Sequence, residues 1–310
     1  MPFRFNKIDW KGLSENKQLK LNIGLAVVLI IFFAFFVDMI FSVSKFRHYA
    51  ERPVKEEKIV HAYTLREASW QAGRKAKPVK EKRVAPKRTG ARVAVILDDA
   101  GGNIADHNGL YSIKEPLTVS VLPCLPTSGK TAKALADAGF EVILHLPMES
   151  LNGNYRRSGG GMVSCSDTDY EIRKTVLDDF SSVKWAVGFN NHMGSKATAD
   201  ERVMTDVFNS VKGRDIYFID SRTTEKSVAL KMAREFGMPS AGNNIFLDSE
   251  ATQPFIESRF RRLIAMARQK GSAIGIGHVT RPATIAMLKK LMPEYKKEGI
   301  EFVYASELVK

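Results

Sequence analysis

Cysteine is nearly missing from this chain: Cys124 and Cys165 are the only two in 310 residues. Neither sits in a CxxC pair or at zinc-finger spacing, so thiol chemistry is not the theme, and at most one disulfide can form. No repeat recurs at a period of 20 to 50 residues, which argues against a solenoid. Acids are scarce where bases crowd: between Arg74 and Arg88, RKAKPVKEKRVAPKR holds eight basic residues against Glu81 alone. The formal net charge of +13 invites thoughts of nucleic acid or an anionic membrane face. This basic segment lacks interleaved aromatics and a folded presenting surface, so nucleic-acid binding is the weakest of the readings.

Four segments differ in texture. Residues 1–20 are basic, with Arg4, Lys7, Lys11, Lys17 and Lys20. Leu21 to Val43, LNIGLAVVLIIFFAFFVDMIFSV, is interrupted only by Asp38. At about 1.5 Å per residue it reaches about 34 Å, enough to cross a bilayer core. It therefore predicts a transmembrane anchor. A cleaved signal peptide is the rival, favoured by the small residues Ser42 and Ser44 and disfavoured by the length of the run. Lys45, Arg47 and Arg52 make the far flank basic too, so charge sets no orientation. Residues 44–90, dense in charge and carrying Pro53, Pro78 and Pro86, predict a mostly disordered basic linker.

From residue 91 short apolar runs alternate with amphipathic ones. The runs at Val93–Leu97, Leu117–Leu122, Glu141–Leu144, Trp185–Phe189, Ile216–Ile219, Asn244–Leu247 and Ala273–Ile276 predict seven strands. Helical periodicity between them implies a parallel α/β sheet, open or closed into a barrel. Functional groups then gather at the carboxyl ends of the strands. The first strand runs into Asp98 and Asp99, the third into His145 and Glu149, and the fourth into Asn190, Asn191 and His192. The fifth ends in Asp220, Ser221 and Arg222, and the last in His278 and Arg281.

Adjacent carboxylates repel and are costly to desolvate, so a metal or a proton between Asp98 and Asp99 would explain them; otherwise Asp99 caps a helix and Asp98 is solvated. Three of the four histidines after residue 90 stand at strand ends, His107 being the exception. With the carboxylates they suit zinc or a similar divalent ion.

The order of these motifs resembles the polysaccharide deacetylases, most closely their divergent branch. Leu97-Asp98-Asp99-Ala100-Gly101 matches the family's first motif. AGFEVILHLPME matches the second, with Glu149 where a second histidine is expected. NNHMGS falls at the third, with Asn190 in place of an arginine; the IDS of Asp220 resembles the fourth, and IGH at His278 the last. The resemblance implies a distorted (β/α)7 barrel over residues 91–310. It implies Asp98 as general base, His278 as general acid, and Asp99, His145 and at least one of Glu149 and His192 as ligands to a divalent metal, with Zn2+ the expected ion. Asn190, Asn191, Asp220, Arg222 and Arg281 become candidate substrate contacts. The implied activity is metal-dependent removal of N- or O-acetyl groups from an envelope polysaccharide or peptidoglycan, with the domain held extracytoplasmically by its anchor. The departures leave a rival: a metal-bound domain that recognises glycan without turnover. No pattern specifies an oligomeric state.

Overall fold

The computed structural model describes residues 90–102, 109–152 and 161–310. The anchor at 21–43, the basic segment 1–20, nearly all of the linker 44–90 and His107 lie outside the described residues. Among those described, no helix is long and apolar enough to cross a membrane. Cys124 and Cys165 are free thiols.

Nine strands form one parallel sheet. In chain order they are β1 (Arg92–Ala100), β2 (Thr118–Val121), β3 (Glu141–Met148), β4 (Gly188–Met193), β5 (Tyr217–Asp220), β6 (Ser240–Gly242), β7 (Ile245–Phe246), β8 (Ser272–His278) and β9 (Glu301–Val303). The helices α1 (Ser128–Asp137), α2 (Asp169–Ser182), α3 (Glu201–Ser210), α4 (Ala229–Glu235), α5 (Gln253–Lys270) and α6 (Pro282–Lys297) fall between them. Local chemistry sets several helix ends. Thr168 and Glu171 make a reciprocal capping box on α2, Asp200 caps two amides of α3, and Gly271 ends α5 at φ 83°.

The strand order is β6-β5-β4-β3-β2-β1-β8-β7, with β9 also pairing β1. This is a half-barrel with the expected β/α alternation. It departs from the seven-stranded barrel in count and in closure. The extra strands β6 and β9 have three residues each, too few to show a period in sequence. Closure fails between β6 and β7 because only Asn243 and Asn244 join them, and parallel neighbours need a crossover of a dozen residues or more. The two asparagines instead bridge the gap: Asn243 N–H donates to the Asp220 carbonyl of β5 and Asn244 N–H to the Ile274 carbonyl of β8. The fourth strand starts later than expected, at Gly188, although the Val187 N–H already donates to the Val142 carbonyl of β3.

Period two sorts the strand residues between two cores. Val93, Val95 and Leu97 pack outward with the helices, beside Phe180, Phe189, Phe208 and Phe260. Ala94, Ile96, Ile143, Tyr217, Ile219, Ile274 and Ile276 pack inward, with Val303, Ala305 and Leu308 from the C-terminal segment. That segment also closes the amino-terminal end of the sheet: Ala305 N–H donates to Thr118 Oγ1, and both Thr118 and the Tyr217 hydroxyl donate to Glu141 Oε1. The carboxyl end stays open. Continuing the inward phase by one step there, Ile96 leads to Asp98, Ile143 to His145 and Ile276 to His278.

Candidate metal centre

Asp98 and Asp99 are neighbours, so an unbroken strand would send them to opposite faces. The strand is broken. Leu97 pairs with Val119 and Ala100 with Val121, so β1 spends one more residue than β2 over this step, and Asp99 takes a left-handed φ of 66°. Such a bulge re-aims a side chain. Asp98 reaches the interior by its phase and Asp99 by the bulge, which answers how one strand delivers both carboxylates.

Asn190, fully buried on β4, organises what they meet. Its Nδ2 donates to Asp98 Oδ1 at 2.8 Å, and its Oδ1 accepts from Ser120 Oγ at 2.5 Å. The same Oδ1 lies 2.7 Å from His145 Nδ1, so that nitrogen carries the proton and donates. In the neutral ring, Nε2 of His145 then presents a lone pair. It faces Asp99 Oδ1 at 3.3 Å and His192 Nδ1 at 3.1 Å, while His192 Nδ1 lies 3.2 Å from Asp99 Oδ1. Asp99 Oδ1 is buried and has no hydrogen-bond partner among the described residues. One proton can serve only one of these contacts, whereas a divalent cation serves all three. The donor set of two imidazoles and a carboxylate fits zinc or a similar ion. Among the described residues it is the one cluster of three or more such side chains with its ligand atoms close together.

The charges agree with that geometry. Burial alone would raise the Asp99 carboxyl, but His145 and His192 hold it well below the usual carboxylate range. Burial raises Asp98 above that range despite the opposing pull of His145, Asn190 and His278.

His278 stands beside Asp98 in register on β8. Its Nδ1 lies 2.8 Å from Asp248 Oδ1, and its backbone N–H donates to Asp248 Oδ2 at 2.8 Å. Thr284 Oγ1 also donates to Oδ2, at 2.7 Å, so the fully buried Asp248 is fixed on three sides. Burial would lower the pKa of His278, but Asp248 outweighs it and holds the imidazolium above its ordinary range. Sequence reasoning missed Asp248 and Ser120. Asp248 was within reach of the strand-end rule, since it directly follows the Asn244–Leu247 run.

Other expected site residues do different work. Glu149 is no member of the cluster: its Oε1 holds Lys196 Nζ at 2.7 Å, and its Oε2 accepts from Ser164 Oγ and Cys165 N–H at 2.9 and 2.7 Å. Asn190, Asn191 and Asp220 spend their polar atoms on the protein rather than offering them to substrate. Asn191 ties Met193 to Ser221, and Asp220, on the outward phase of β5, accepts from Arg222 N–H and Ser227 Oγ. Arg222 is exposed at the rim, and Arg281 lies half-buried at the turn from β8 to α6.

Comparison with known proteins places this arrangement. The chain is 33% identical to an uncharacterized protein of Haemophilus influenzae over 199 residues, covering 64% of this chain and 70% of that one. It is 31% identical to uncharacterized protein YibQ of Escherichia coli K12 over 218 residues, 70% of this chain and 67% of that one. The crystal structure of an uncharacterized protein from Agrobacterium tumefaciens C58 shares the fold at 21% identity and a TM-score of 0.67, covering 73% of this chain and 92% of that one. Residues 95–309 match the family model described as divergent polysaccharide deacetylase, and the chain belongs to that family.

Proposed function

We propose that this protein is a metal-dependent hydrolase that removes N- or O-acetyl groups from an envelope polysaccharide or peptidoglycan. The observation that carries this is the convergence of Asp99 Oδ1, His145 Nε2 and His192 Nδ1 beside Asp98, with the His278–Asp248 pair on the neighbouring strand. Asp99, His145 and His192 would hold the ion, and zinc suits the donors. When bound, such an ion supplies Lewis acidity toward a carbonyl and lowers the pKa of water.

The remaining steps belong to the chain itself. Asp98 Oδ1 is engaged by Asn190, which leaves Oδ2 to take the proton of the attacking water. His278 turns Nε2 to the substrate, because Nδ1 is committed to Asp248. From Nε2 it protonates the departing nitrogen or oxygen as the acyl bond breaks, giving acetate and a free amine or hydroxyl. Asp248 stabilises the imidazolium until that transfer.

The uncleaved anchor at 21–43 would place the domain on the extracytoplasmic side, where such polymers lie. A mature N-terminus near Lys45 would replace the anchor by a signal peptide, and a domain protease-protected inside intact cells would overturn the location. The test of function is acetate release from a panel of N- and O-acetylated glycans by metal-loaded protein. Release that Asp98→Asn abolishes supports the hydrolase. Glycan binding without release, unchanged in Asp98→Asn, would favour a recognition domain.

A further inference from the structure

The turn after β5 carries an arginine whose neighbours Asp220, Ser221 and Thr223 are hydrogen-bonded in place and whose side chain makes no ion pair with an acid of the described residues. Residues Asp220 to Thr223 are fastened by four hydrogen bonds, those between Asn191 and Ser221 being buried. Asn191 Oδ1 accepts from Ser221 N–H at 2.8 Å, and Ser221 Oγ donates to the Asn191 carbonyl at 2.9 Å. Asp220 Oδ1 accepts from Arg222 N–H at 2.8 Å, and Thr223 Oγ1 donates to the Met193 carbonyl at 2.8 Å. Arg222 itself takes a left-handed φ of 54°, a conformation that is strained for a residue with a β-carbon. The fixed turn lays the guanidinium on Gly242: a β-carbon built at position 242 would stand 2.7 Å from Arg222 Nε, 2.9 Å from Cζ and 3.0 Å from Nη2. Glycine therefore makes the bed on which this cation lies. No carboxylate of the described residues pairs with it, and Arg222 is exposed at the open end of the sheet. Met193, to which Thr223 ties the turn, directly follows His192 of the metal cluster.

We propose that Arg222 is an anion subsite that selects glycans carrying a negatively charged group, a carboxylate or a phosphate, near the acetylated sugar. The identity of the ligand as a glycan rests on the deacetylase reading; the anion preference rests on Arg222 and Gly242. A guanidinium presents two parallel N–H donors to such oxygens, which a lysine cannot reproduce.

The test is calorimetric binding of three disaccharides by the full chain in detergent. These are N-acetylglucosaminyl-N-acetylmuramic acid with its lactyl carboxylate free, the same sugar with that carboxylate reduced to an alcohol, and a phosphorylated di-N-acetylchitobiose. The wild type is expected to bind one of the charged sugars at least about tenfold more tightly than the neutral one, the strength of a charge-assisted pair, and which one it prefers identifies the source of the anion. Arg222→Gln should lose the preference and Arg222→Lys keep part of it. Gly242→Ala should also reduce it, because the new methyl displaces the guanidinium while the charge remains. Equal affinity for all three, binding of none, or a preference that survives Arg222→Gln would overturn the proposal. Acetate release is scored separately. Anion preference without release removes the hydrolase reading and leaves Arg222, whereas release without anion preference does the reverse.

Discussion

Asn190 Oδ1 lies 2.7 Å from His145 Nδ1, and this contact decides which nitrogen of the imidazole faces Asp99 and His192. The same carboxamide orients Asp98 through Nδ2. In the proposed function Asn190 is thus a positioning residue for both His145 as ligand and Asp98 as base. Asn190→Leu should release the His145 tautomer and leave Ser120 Oγ without its partner. Partners of this kind typically govern metal affinity by about 10- to 100-fold. Competition with a chelator measures the change, and unchanged affinity would remove the role.

The second prediction concerns pH. In the proposed reaction His278 must be protonated to act as the acid, and Asp248 holds its pKa above the ordinary range. Asp248→Asn removes that charge, lowers the His278 pKa and should move the basic limb of the kcat/KM profile to lower pH. His278→Ala should abolish that limb, and Asp98→Asn should abolish the acidic one. General acid or base contributions are typically about 10²- to 10⁴-fold, so each loss is measurable. A basic limb that stays in place in Asp248→Asn would contradict the pairing.

Glu149 offers a stability test independent of turnover. Burial would raise its pKa, but Lys196, the Cys165 amide and Ser164 together lower it from 4.5 to about 2. A depressed folded-state pKa contributes stability that is full above the unfolded value and is lost as pH falls through the folded one. Glu149→Gln should therefore lower Tm at pH 7, and the gap to wild type should narrow between pH 4.5 and about 2. A gap constant across that window would show that the ionised carboxylate contributes nothing.

These residues also show how far the sequence carries. The strand-end positions of Asp98, His145, His192 and His278 are legible because the apolar runs are local and period two carries Ile96, Ile143 and Ile276 into the first, second and last of them. Asp99 is different. Local alternation sends it to the outer face, and only a register mismatch with β2, a strand some twenty residues away, turns it in. Glu149 fails for the same kind of reason: four residues after His145 it looks like a second ligand, yet partners at 164, 165 and 196 claim both oxygens. The break between β6 and β7 follows from their two-residue link, and it is hidden in the sequence because the three residues of β6 are too few to show a period.

The account stands most directly on the divalent-ion content of purified protein, measured by elemental analysis after metal loading. Wild type should hold one ion per chain. Asp99→Ala, His145→Ala and His192→Ala should each lose it or bind it far more weakly, while Glu149→Ala keeps it. Stoichiometric metal in both Asp99→Ala and His145→Ala at unchanged affinity, or loss in Glu149→Ala with retention in His192→Ala, would contradict the centre described above.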